Sequence, residues 1–130
     1  MTRAGRDAVE LFLREARSLQ GEHRYAHALQ AAGLAATAAV QTGDHRKRVE
    51  ATVLEASCLK SLGRFEEAWV RYTRALALGC DLIKRTGLEG EELISQLVWA
   101  HVESADCARL IPQIPRRDVL RVLDEADAWL

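Results

Sequence analysis

His23 and His27 stand four residues apart, a spacing that can set two imidazoles on one helix face as metal ligands. No acidic or Cys partner completes a ligand pattern around them, and His23 falls where a turn is expected, so no metal site is read there. His101 lies among Trp99, Ala100 and Val102, which suits a core or boundary histidine better than a catalytic base. The adjacent pairs Glu66-Glu67 and Glu91-Glu92 sit near helix starts, where carboxylates complement the helix dipole. Asp106-Cys107 would suit an activated thiol, but no histidine has a spacing that ties it in. The glycines are scattered singly, mostly at turns, so no phosphate-cradling loop is evident. These residues predict no catalytic group, no metal and no cofactor.

Three cysteines, Cys58, Cys80 and Cys107, are odd in number and widely spaced, which suggests neither a disulfide framework nor a zinc site. A reducing, cytoplasmic setting is expected. No apolar run suggests a signal peptide or a membrane span. Eighteen basic and nineteen acidic side chains give a net charge of −1, which argues against a dedicated nucleic-acid binder. The one basic cluster, Arg46-Lys47-Arg48, follows a turn signal and reads as a solvated edge. The chain has no Asn, and Arg outnumbers Lys fifteen to three, usage that points to a GC-rich bacterial genome.

The elements that must position these residues are helices. The only prolines are Pro112 and Pro115, so nothing before them breaks a helix by ring geometry. Apolar residues at three-and-four spacing predict helices over about 6–20, 24–42, 45–62, 65–85, 89–109 and 116–130. Gly21, Thr42-Gly43-Asp44, Gly63, Gly87 and Pro112 punctuate them, with Asp44 placed to cap the third helix. The second helix carries a face of alanines (Ala28, Ala32, Ala35, Ala39) that lets a neighbour approach closely. The third is apolar on two sides and should lie between neighbours. Trp69, Trp99 and Trp129 have apolar neighbours and are read as packing residues, Trp129 being the one most open to a partner.

A shift of about forty residues lays the chain over itself. Ala16 falls on Ala56, Leu19 on Leu59, Tyr25 on Phe65, Ala28 on Ala68 and Ala35 on Ala75. The segment Leu62-Gly63-Arg64-Phe65-Glu66-Glu67-Ala68-Trp69-Val70-Arg71-Tyr72-Thr73-Arg74-Ala75-Leu76 resembles the tetratricopeptide repeat family in its turn, aromatic and small-residue order. The longer period and the missing closing proline suggest long-helix relatives. The resemblance covers about 6–85 well and weakens from Thr86 onward.

That resemblance implies an all-α right-handed solenoid of three antiparallel hairpins, about 6–42, 44–86 and 88–130, the third degenerate. It implies a concave face lined by the first helix of each hairpin, holding a peptide or helix of a protein partner. The family's groove-facing pattern carries over onto Leu13, Arg17 and Gln20 and onto Val53, Ser57 and Lys60. Two alternatives stay open: a module that self-assembles through the apolar end of the stack, and a helical regulator touching nucleic acid through Arg46, Lys47 and Arg48.

Overall fold

Ala, Leu, Arg and Glu favour helix, and among the described residues the computed structural model is helical wherever regular structure occurs. It describes residues 3–86 and 91–111. Five helices follow in order: α1 (Arg3–Gly21), α2 (Tyr25–Thr42), α3 (His45–Ser61), α4 (Phe65–Thr86) and α5 (Glu91–Arg109). Their ends lie within three residues of those that periodicity predicts. The expected sixth helix, the turn at Gly87, the Pro112 turn and Trp129 lie outside the described residues.

The turns show why the chain reverses where it does. After α1, the N–H of Arg24 donates to Leu19 O at 2.9 Å and that of His23 to Gln20 O at 3.0 Å. Forty residues on, Arg64 donates to Leu59 O at 2.9 Å and Gly63 to Lys60 O at 3.0 Å. Both turns need one residue with positive φ, in the left-handed region. His23 fills that position in the first turn and Gly63 in the second. The internal repeat is therefore a repeat of backbone hydrogen bonding as well as of side chains. Between the hairpins Gly43 takes the left-handed position. The Asp44 carboxylate then accepts the Lys47 N–H at 3.1 Å, capping α3 as its sequence predicts.

Each helix packs on the next, and α3 touches all four others. Its two apolar sides explain this. Val49, Ala56 and Leu59 join Ala68, Tyr72, Leu76, Leu93 and Leu97 in the largest core cluster, while Ala51 joins Val9, Leu13, Ala35 and Ala39 in a second. The alanine face of α2 forms the floor of that second cluster and of a third around Ala16, Ala31 and Ala32. At the α4–α5 crossing, Gly79 meets Leu97 so closely that a Cβ there would lie 2.3 Å from Leu97 Cδ2.

Among the described helices, α1 lies beside α3 and α3 beside α5, whereas no Cα of α2 comes within 8 Å of one in α4. The molecule thus has one side where α1, α3 and α5 adjoin, and an opposite side where α2 and α4 stand apart.

Two expectations are corrected. Trp99 is 53% exposed and is no core residue within the described structure. Leu13 is fully buried: it sits where α1, α2 and α3 converge, against Ala35, Ala39 and Ala51. It shares its helix face with Arg17 and Gln20 but also the packing stripe of Val9 and Ala16, and the stripe wins.

Candidate functional site

The side where α1, α3 and α5 adjoin carries polar side chains that reach from one helix to the next. Gln20 Nε2 donates to Ser57 Oγ at 2.9 Å, joining α1 to α3. Lys60, which the forty-residue shift lays on Gln20, reaches from α3 to α5, with Nζ 2.5 Å from Glu103 Oε2 and 2.7 Å from Asp106 Oδ2. One repeat position therefore makes the same kind of bridge twice. Towards the start of α3, Arg17 pairs with Glu50, and Lys47 reaches back to Glu10 at 2.6 Å as well as to Glu50 at 3.3 Å.

The electrostatics follow from these pairs. The hydrogen bond from Lys60 holds the Asp106 carboxyl below its ordinary value, against a smaller penalty from burial. Lys47 does the same for Glu10. Burial works against the charge on Lys60, yet its hydrogen bonds to Asp106 and Glu103 together raise its pKa. The cations of this face are thus matched by carboxylates.

Behind the ladder lies a buried polar seam. The Tyr72 side chain is wholly buried, with Oη near Ser57 and Glu103 but in hydrogen-bond geometry with neither. Burial, and then the Glu103 charge, push its hydroxyl far above the ordinary tyrosine range. Trp69 Nε1 and Ser104 Oγ are also buried without a hydrogen-bond partner among the described residues. Burial pushes the thiols of Cys58 and Cys107 up to about 11, so both stay protonated at neutral pH and are poor nucleophiles.

Of the six residues expected to face a partner, the structure brings Arg17, Gln20, Ser57 and Lys60 together in this ladder. Val53 is half-buried against the main core, and Leu13 is enclosed. The acidic members, Glu50, Glu103 and Asp106, are absent from the sequence expectation. The first could have been found from the repeat, since Glu10 and Glu50 coincide under the shift; the α5 pair could not, because the repeat fades there.

The tribasic run does not form one patch. Lys47 is held by Glu10 and Glu50, Arg46 lines a cleft with Asp44 and Gln96, and Arg48 faces the opposite side beside Thr52 and Glu55. His23 and Tyr25 share a hydrogen bond of 2.7 Å through Nδ1 and Oη, and His27 is exposed. His101 is buried. Among the described residues, no three or more His, Cys, Asp or Glu side chains could hold a metal ion, and no helix is long and apolar enough to cross a membrane. No protein-family model, curated protein or solved structure matches the chain.

Proposed function

We propose that the chain is a non-catalytic protein-interaction module of the tetratricopeptide-repeat type, stacking its hairpins in a right-handed sense and holding a peptide or helix of a partner across α1, α3 and α5. The observation that supports this best is the repeated bridge: Gln20 to Ser57, then Lys60 to Glu103 and Asp106. Equivalent positions of successive hairpins face one continuous surface, as a linear partner running across the hairpins requires. The side chains there are polar and mutually neutralised, so a partner would gain affinity from shape and apolar anchors more than from net charge.

The test places a photo-crosslinking residue at Ser57, and separately at the exposed Gln30 on α2, in the chain expressed in its native host. A partner captured from Ser57 and not from Gln30 is expected, and its affinity should fall at least tenfold on Arg17→Ala combined with Ser57→Arg, with helicity unchanged. Capture from Gln30 alone, or an affinity indifferent to both substitutions, would move the interface off this face.

A further inference from the structure

On the opposite side, the gap between α2 and α4 is a cleft of about 210 Å³ whose floor is α3. Three arginines line it, Arg48 from α3 and Arg71 and Arg74 from α4, with a single carboxylate, Glu55. Arg71 Nε lies 3.6 Å from Glu55 Oε2. That is longer than a charge-assisted hydrogen bond of about 2.7–2.9 Å. Among the described residues Arg48 and Arg74 form no ion pair. The contrast with the α1–α3–α5 face is direct: there each bridging cation has a carboxylate, and here three guanidinium groups share one.

The remaining polar groups of the cleft are already committed. Thr37 Oγ1 donates to Gly33 O at 3.1 Å and Thr52 Oγ1 to Arg48 O at 2.7 Å, so neither hydroxyl proton is left for a ligand. Any donor offered to a ligand is therefore a guanidinium. The side contributed by α2 includes Gly33 and Ala36, whose small size leaves the space open. Small-molecule sites commonly span about 300–1,000 Å³, so this cleft suits one compact charged group more than a whole nucleotide.

We propose that this cleft binds a phosphate group, held as a dianion by Arg48, Arg71 and Arg74. The charge count selects a dianion: three cations and one carboxylate leave a surplus of two positive charges, which one dianion neutralises and one carboxylate does not. Guanidinium forks match phosphate oxygens in paired hydrogen bonds, and arginines from two helices can approach such a group from different sides. Burial raises the Glu55 pKa while Arg71 and Arg74 oppose it, which fits a carboxylate whose arginine partners are only loosely engaged. The group's source is either free phosphate or a phosphorylated side chain, which offer the same oxygens.

The experiment is isothermal titration of the full chain with inorganic phosphate, phenyl phosphate and acetate at fixed ionic strength and mildly alkaline pH. Inorganic phosphate should bind at one saturable site, with acetate at least tenfold weaker. Equal or tighter binding of phenyl phosphate assigns the site to a phosphorylated side chain, and its exclusion assigns it to free phosphate. Arg48→Gln with Arg74→Gln should weaken binding at least tenfold, and Arg85→Gln, at an exposed pair with Asp81 outside the cleft, should leave it unchanged. Glu55→Gln removes the one repelling charge and should tighten binding several-fold. No saturable phosphate binding, acetate binding as tightly as phosphate, indifference to the double arginine substitution, or weaker binding in Glu55→Gln would each overturn the proposal.

Discussion

Lys60 shows how one side chain can tie the repeat together. Its ammonium is shared by Glu103 and Asp106, all three only partly exposed, so the pairing is screened less than a surface ion pair. Lys60→Gln should cost about 1 kcal/mol at neutral pH, measured by urea denaturation. The pH dependence has a definite sign. Asp106 is held below its ordinary 3.8, so its contribution is complete above that value and is lost as pH falls through the depressed one. Lys60 is raised above 10.5, so its contribution is complete below that and is lost only as pH rises through the raised value. The difference between wild type and Lys60→Gln should be flat from about pH 5 to about pH 10 and shrink on further acidification. A difference that grows towards low pH would mean that the pairing is not what stabilises this position. Leu13 gives the opposite lesson. The family's groove-facing pattern placed it with Arg17 and Gln20 on a partner-facing surface, but a pattern carried over along one helix cannot say that α2 and α3 both close over that turn.

At the scale of elements, helix existence and turn chemistry were legible because both are local. Periodicity, the cap at Asp44 and the left-handed residue at Gly63 depend on a few neighbouring residues. The turn after α1 tests this, because His23 adopts positive φ at the repeat position that Gly63 holds in the next hairpin. For a residue with a Cβ that conformation costs about 1 kcal/mol. His23→Gly should therefore stabilise the chain by about 0.5 kcal/mol, even after losing the hydrogen bond to Tyr25. Gly63→Ala should destabilise it by about 1 kcal/mol in the same urea assay. Equal stability in both variants and wild type would show that the turn imposes no strain. Helix contacts distant in sequence were not legible. Gly79 lies on the buried face of α4 with Leu76 and Leu82, and only the structure shows that Leu97 of α5 occupies the space a Cβ would need. Leu97 is fully buried and has little room to give way. Gly79→Ala should cost about 1–3 kcal/mol in overpacking, more than the gain of up to about 1 kcal/mol in helix propensity. Adding Leu97→Ala should then cost less than it does alone, and strict additivity would show that the two do not meet.

Over the whole molecule, charge balance conceals an asymmetry that composition could not reveal: a net charge of −1 spreads into a neutralised face on α1, α3 and α5 and an under-compensated cleft between α2 and α4. This bears on what the proposed interaction face would accept. Tetratricopeptide domains that capture acidic C-terminal tails hold the terminal carboxylate with paired Asn amides supported by basic residues. The present chain has no Asn, and the cations on the α1–α3–α5 side, Arg17, Lys47 and Lys60, already meet Glu50, Glu10 and the Glu103–Asp106 pair. To bind, such a tail would have to displace internal carboxylates that are tethered to the same surface, and it would bring negative charge beside them. An acidic tail peptide should therefore bind the α1–α3–α5 face more weakly than about 1 mM, roughly −4 kcal/mol, in isothermal titration at physiological salt. A dissociation constant of about 1 μM or tighter, roughly −8 kcal/mol, that is lost on Lys60→Gln and kept in Arg48→Gln with Arg74→Gln would show that the ladder opens to take a carboxylate. The same affinity lost only in the double arginine variant would instead place the peptide in the cleft between α2 and α4. Either outcome is read against the unfolding curve of each variant, so that a lost fold is not mistaken for a lost site.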